Sequence, residues 1–380
     1  MEVARAIDLY RALGGTVGCR KLSQAFYARV GRDPVLCPLF PGKSLRCATE
    51  EFAAFLVQFA GGPAEDTQYR WWVSLRESHL RFKIGARERD AWMNNMQAAL
   101  EESGFSGPVH DALRDLFEQS SAYVVNVGEA PAPADDGCND EIRREVRQRW
   151  DVQLALDRAV AAVRSGDSAE AIGLIEAAAP ENPSVTVALL AAMLKSGDPA
   201  LLEYACERVR SDPRLIGERF NGRTLLHIAA GAGVISMVQL LLRLGCDPNV
   251  IDSGGHTALY HLANECRSQE SARVATALIQ AHANINACDG VKRCTPLHMA
   301  ARRGSVEVAA ALLDAGAAIE AKDTSGDTPL RRAVNCGKGA VVELLIARGA
   351  DVQSIGRKGL TPLQAARSGE MKRLLQSVER

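Results

Sequence analysis

This chain lacks the features that would send it to nucleic acid, into a membrane or out of the cell. Charge of one sign is missing. Its 45 Lys and Arg balance 46 Asp and Glu, for a net charge of −1, so nothing pulls it toward nucleic acid or an anionic lipid surface. No apolar run approaches the roughly 18 residues that a spanning helix needs. The stretch Met1–Gly15 has no continuous apolar segment ahead of a small-residue cleavage site. A signal peptide is therefore not expected, and the cytoplasm is. The 10 cysteines are scattered, with no C-x-x-C among them, and read as reduced thiols. Cys288, Cys294 and His298 lie close in sequence, but C-x5-C-x3-H is a poor match to zinc spacing. Lysine is scarce, outnumbered about four to one by Arg, the usage of a GC-rich bacterial genome. No GxGxxG follows a strand-like run, which argues against a fused flavin or nicotinamide domain.

What is present is a repeat. The segments beginning Thr224-Leu-Leu-His227, Thr257-Ala-Leu-Tyr260, Thr295-Pro-Leu-His298, Thr328-Pro-Leu-Arg331 and Thr361-Pro-Leu-Gln364 are spaced by 33, 38, 33 and 33 residues. Each threonine precedes an Ala-containing helical stretch, a turn and a second, more apolar helix such as Val341–Ile346. Thr caps a helix N-terminus and Pro follows where no donor is lost. Ala lets neighbouring first helices approach, and Leu and Val on the second make a core shared between units. The pattern resembles the ankyrin repeat. The longer gap carries about five extra residues around Glu265–Arg273, which predicts a longer connection in that helix pair.

Upstream, Ala161–Asp167 and Ala191–Asp198 repeat one another, each ahead of a further apolar helix. Residues 141–217 are read as degenerate or capping repeats of the same stack, with a separate helical linker domain as the other reading. Residues 127–140 are rich in Pro, Gly and Asp and form an expected linker. The expected layout is a front domain over 1–126, the linker, the 141–217 region, and about five repeats over 218–380.

The front domain alternates helical patterns with breakers, among them Gly14-Gly15, Pro41-Gly42 and Gly61-Gly62-Pro63. It carries no alternating strand signal of useful length, so the fold class is all-α: a small helical domain followed by an α-solenoid. His79 sits in Leu75-Arg-Glu-Ser-His-Leu-Arg-Phe82. Taken alone, it reads as a packed structural residue. Tyr27, Phe40, Phe52 and Trp92 likewise read as core aromatics, and Trp71-Trp72 as packing or as a loop ahead of His79.

Taken in order, however, the segments Ala12–Gly15, Phe26–Val30, Asp33–Pro41, Phe59–Pro63, Leu75–Gly85 and Arg89–Met93 resemble the truncated haemoglobins. The His followed by Phe and Ile-Gly, with Trp92 thirteen residues on, is most similar to group II. The resemblance implies haem b, held by His79 as proximal iron ligand. It implies Phe40, Leu75 and Phe82 against the haem, and a distal pocket of Tyr27, Trp92, Phe52, Ala48 and Leu56. There Tyr27 and Trp92 would donate to a bound gas. Ala48, Phe52 and Leu56 are read as one helical face at i, i+4 and i+8. Ser78 stands where the family often has an Arg for a haem propionate, so Arg76, Arg81 or Lys83 is the expected substitute. Phe52 stands where many members have a smaller or polar residue, implying a tighter, drier pocket.

Three functions follow. The first is a haem protein that binds dioxygen, nitric oxide or carbon monoxide and docks a protein partner through its repeats. The second is a nitric oxide dioxygenase or peroxidase that needs an external reductase. The third is an ankyrin scaffold whose globin has lost its haem. Loop tips at 253–256, 290–293, 325–327 and 357–359 are the expected partner surface. Arg302-Arg303 and Arg331-Arg332 would add basic side chains for an acidic partner.

Overall fold

The computed structural model describes residues 9–40, 45–63, 75, 79–128, 141–178, 183–356 and 359–378. Two compact units divide the chain, Met1–Leu189 and Leu190–Arg380. Among the described residues no helix is long and apolar enough to cross a membrane.

Among its described residues the first unit has helices and no strand. Its elements are α1 (Leu9–Ala12), α2 (Gly15–Val30), α3 (Leu45–Phe59), α4 (Ala86–Ser103), α5 (Gly107–Tyr123), α6 (Glu141–Ser165), α7 (Ser168–Ala178) and the start of α8 (Pro183–Ser196). Helix α2 packs on both α3 and α4, and α5 lies between α4 and α6. Leu22, Phe26, Leu56, Met96, Leu100, Leu113 and Phe117 fill the core they share. Gly14, at φ 76°, makes the left-handed turn into α2. Gly18 is required by proximity: a Cβ there would stand 1.9 Å from the Leu13 carbonyl oxygen. Gly18→Ala is therefore expected to destabilise this unit by about 3 kcal/mol, read as a lower urea midpoint by Trp fluorescence. An unchanged midpoint would mean that the α1–α2 corner relaxes freely.

Helix α6 departs from the expected layout. The sequence grouped it with the repeats, yet the first unit extends to Leu189. Arg143, Val146, Trp150, Gln153 and Asp157 recur at helical spacing and are all buried. Val146 and Trp150 join the core of Phe26 and Leu113, and Trp150 meets the Tyr123 ring edge-on at 5.9 Å. Arg143 pairs with Asp115 of α5 at 3.2 Å, and Arg149 donates to the Phe59 carbonyl at 3.0 Å. A stripe mixing one Trp with buried polar residues has no clean hydrophobic period, which hid its partner in the sequence.

The second unit follows the 33-residue pattern. Helix pairs run α10 (Leu225–Ala232) and α11 (Ile235–Arg243), α12 (Ala258–Glu265) and α13 (Ser271–Gln280), α14 (Pro296–Arg303) and α15 (Val306–Asp314). They continue with α16 (Pro329–Asn335) and α17 (Gly339–Ala347), then α18 (Pro362–Ala365) and α19 (Gly369–Val378), and α9 (Pro199–Ser211) precedes them all. First helices stack on first helices, α10 on α12, α12 on α14 and α14 on α16. The extra residues lengthen the connection between α12 and α13, which spans 266–270. The only strands among the described residues are Arg219–Phe220 and Arg223–Thr224, a two-stranded antiparallel hairpin.

The threonines cap as expected. Thr257, Thr295 and Thr328 each accept the N–H three residues on, at 3.4 Å. The residue in that third position then reaches the next repeat. His227 Nε2 donates to the His256 carbonyl at 3.1 Å and His298 Nε2 to the Asp327 carbonyl at 3.0 Å. Tyr260 donates to Asp289 at 3.2 Å, and Arg331 donates to the Leu360 carbonyl. His, Tyr and Arg thus fill one slot, because each carries a donor of sufficient reach.

This network accounts for the basic pairs differently from the sequence reading. Arg331 is 4% exposed and pairs with Asp327 at 2.7 Å. Arg332 pairs with Asp323, the carboxylate that closes its own turn through the Ser325 and Asp327 amides. Arg302 donates to Asn264 at 2.6 Å and Arg303 to the same oxygen at 3.2 Å. Carboxylates thus meet the charges of Arg331 and Arg332, whereas Arg302 and Arg303 bond a neutral amide of the preceding repeat, with Arg303 exposed.

In the second repeat the same turn carboxylate, Asp252, takes His256 Nδ1 at 3.0 Å and His261 Nε2 at 2.8 Å. His261 Nδ1 meets Glu265 at 3.1 Å, and Arg223 also pairs with Glu265. Burial, reinforced by His261, lowers His227 to about 4. Burial would raise Asp252, but the His256 amide and His261 hold it at about 2. The bond from His261 lowers Glu265 to about 2, against burial and with help from Arg223. All three groups bind fewer protons folded than unfolded below neutrality, so acid destabilises the fold. The His227 contribution is whole above about pH 6.5 and lost toward pH 4, and the two carboxylates follow from about pH 4 to 2. Amide exchange over 225–265, corrected for intrinsic rates, should accelerate between pH 7 and pH 4. Unchanged protection would contradict this account.

Candidate functional site

The site is an aromatic cavity in the first unit, with a volume of about 170 Å³. Helix α2 supplies Phe26 and Tyr27, α3 supplies Ala48, Phe52 and Phe55, α4 supplies Trp92, and α5 supplies Phe117. Leu75, His79, Arg81 and Phe82 complete it from the segment between α3 and α4, and Phe40 from the turn after Cys37–Leu39. The rings pack edge-on and tilted. Phe26 lies 5.1 Å from both Tyr27 and Trp92, Phe40 lies 5.5 Å from Phe82, and Phe82 lies 6.3 Å from the His79 ring.

His79 is the chemical centre. Its Nδ1–H donates to the Leu75 carbonyl at 2.7 Å. That bond makes Nε2 the nitrogen with the lone pair and fixes the ring, as metal-binding imidazoles require. Burial pushes its pKa below the ordinary histidine value, Arg81 lowers it further, and the Leu75 bond opposes both. The shift favours the uncharged ring at neutral pH. Tyr27 is the second polar group, and burial pushes its pKa up, with Glu51 reinforcing and Arg81 opposing. It therefore stays protonated and keeps an O–H to donate.

The segment that carries His79 is tied at its far end. Asn126, just past α5, donates to the Phe82 carbonyl at 2.8 Å and accepts the Ile84 N–H at 2.9 Å. The Asn126 and Val127 amides both donate to the Ile84 carbonyl. Helix α4 starts two residues later, with the Gly85 N–H held by Glu88 at 3.0 Å.

Of the residues the sequence assigned here, Tyr27, Phe40, Ala48, Phe52, Leu75, His79, Phe82 and Trp92 line one cavity. Leu56 does not; it is 1% exposed inside the core. On a helix of 3.6 residues per turn, i+8 has rotated away from i, whereas i+7 has nearly returned, so Phe55 lines the cavity in its place. Lys83 is exposed and not among the lining residues. Arg76, together with Ser78, Trp71 and Trp72, lies outside the described residues. Arg81 is the basic side chain of its segment at the cavity, 4.8 Å above the Phe82 ring. The sequence reading missed Phe55, Phe117, Ser120, Ser121 and Asn126, which are remote in sequence from the histidine.

Comparison with known proteins places this geometry. The bacterial-like globin family matches residues 8–126. The Group 2 truncated hemoglobin YjbI of Bacillus subtilis is 33% identical over 121 residues, which cover 32% of this chain and 90% of that protein. The chain belongs to the truncated globins. Behind the globin it carries ankyrin repeats, a family that matches 188–274 and 266–356. Human ankyrin repeat and SOCS box protein 16 is 41% identical over 86 residues, 23% of this chain but 18% of that protein. Human cyclin-dependent kinase 4 inhibitor B is 34% identical over 98 residues, 26% of this chain and 67% of that protein. The repeat match starts within α8, so α6 and α7 fall between the two family matches and close to neither motif. The site suits the group the globin fold implies. A fixed imidazole would supply a ligand, aromatic walls suit a flat apolar ring, and Arg81 would offer a cation to acidic substituents.

Proposed function

We propose that the globin holds a haem b and binds a diatomic gas, dioxygen first among them, while the ankyrin repeats dock a protein partner. The bond from His79 to the Leu75 carbonyl carries the reading. It presents an oriented, uncharged Nε2 in the same cavity as the Tyr27 phenol and the Trp92 indole. A bound haem would supply an iron with a coordination position for the gas. His79 would ligate that iron through Nε2. Phe40, Leu75 and Phe82 would press on the ring, and Arg81 would take a propionate in the place considered for Arg76 or Lys83. Tyr27 donates its O–H and Trp92 its N–H toward the gas side, and the small Ala48 side chain leaves room beside Phe52.

For the repeats, three aliphatic side chains stand out near the expected loop tips: Val291 is 78% exposed, Ile355 57% and Ile251 55%. They support a partner that makes apolar contact there. The scattered free cysteines suit a cytoplasmic setting. Signalling from gas to partner needs a partner affinity that differs between the gas-bound and gas-free states.

Equilibrating the reduced, haem-loaded chain with dioxygen and then purging it tests binding against turnover. The account expects the starting spectrum to return, with no dioxygen consumed. Steady consumption with nitric oxide and an added reductase would favour the dioxygenase. A chain that takes up no haem would leave only the repeat scaffold.

A further inference from the structure

Helix α6 lies beyond residue 126, where the globin match ends, yet it reaches the segment that holds the histidine. Asp157 is 2% exposed. Its Oδ1 accepts the Leu75 N–H at 2.7 Å, from 82 residues away in sequence. The same oxygen takes Gln153 Nε2 at 3.4 Å, one turn earlier on α6. Leu75 thus meets Asp157 through its N–H and His79 through its carbonyl. The remaining anchors of α6, at Asp115, Phe59 and the Trp150 core position, hold the helix against the same unit.

We infer that Asp157 is a positioning residue for His79: its side chain holds the Leu75 backbone by the N–H, and so restrains the neighbouring Leu75 carbonyl that orients the imidazole. The bond is buried, where a hydrogen bond is electrostatically stronger than in water. A helix outside the globin sequence thereby reaches the ligand's second nitrogen, and movement of α6 along its axis would change how firmly His79 is held. The role toward iron rests on the proposed haem ligation by His79, whereas the hold on Leu75 does not.

Two variants of the full chain test this. Asp157→Asn keeps the shape and an acceptor oxygen, and Asp157→Leu keeps the volume without an acceptor. In the haem-free chain, the Leu variant should speed amide exchange at Leu75 and His79 about tenfold, the scale of one unpartnered buried donor. Exchange in α2 and α4 should stay within about twofold, and the Asn variant should stay near the native chain throughout. In the haem-loaded chain, the Leu variant should release haem about tenfold faster and shift the iron–histidine stretching band to lower frequency. Unchanged exchange at Leu75 would overturn the inference. Uniform acceleration across the unit would also overturn it, because Asp157 would then serve the fold as a whole. If the native chain takes up no haem, the ligation reading fails by itself, and the exchange at Leu75 still decides the role of Asp157.

Discussion

Replacing His79 with alanine is expected to abolish the Soret band that haem held as proposed would give the native chain. The change removes the one neutral imidazole that lines the described cavity. Loss of a partner one shell further out already costs about 10- to 100-fold in metal affinity, so loss of the ligand should exceed about 100-fold. Repeat-unit protection should not change, since the substitution leaves every hydrogen bond between repeats in place. Free imidazole should restore part of the absorption by occupying the space vacated. Equal haem affinity and an identical spectrum in His79→Ala would assign ligation to another residue and contradict the site.

Tyr27→Phe is the second large effect, and it separates a hydrogen-bond donor from a packing residue. The phenol is held protonated by its burial, so it would meet a bound gas as a donor and not as a charge. A bond to a polarised acceptor is worth about 1.5–3 kcal/mol, so dioxygen release should accelerate roughly 10- to 100-fold. Carbon monoxide carries less charge when bound, and its release should change by less than about threefold. The ring contacts of Tyr27 with Phe26 at 5.1 Å and Phe40 at 6.1 Å remain available to phenylalanine. Equal acceleration for both gases would mean that Tyr27 acts by shape alone. Trp92, packed at 5.6 Å from Phe117, should show a smaller change of the same sign on replacement by Phe.

The repeats were the most legible part of the sequence because their physics is local. A Thr cap, a Pro and a donor three residues on repeat within one helical turn, and the 33-residue spacing carries them through the stack. The globin cavity was legible through family likeness, since His79, Tyr27 and Trp92 are far apart and share no period. On α3 the face was read one residue out of phase, which brought in Leu56 and passed over Phe55. The polar clamps escaped notice for a different reason. Asn126 and Asp157 act on backbone groups 44 and 82 residues away, and neither sits in an apolar pattern that would mark it. Helix α6 was assigned to the repeats because it begins after the Pro- and Asp-rich stretch, although its buried stripe faces the globin.

Haem titration of the purified full chain, followed by absorption in the ferric, ferrous, oxygenated and carbonyl forms, tests the haem pocket most directly. The account predicts saturation at about one haem per chain, a Soret band that shifts with each gas, and loss of both in His79→Ala. Haem uptake without a defined end point, or a spectrum indifferent to dioxygen and carbon monoxide, would contradict it.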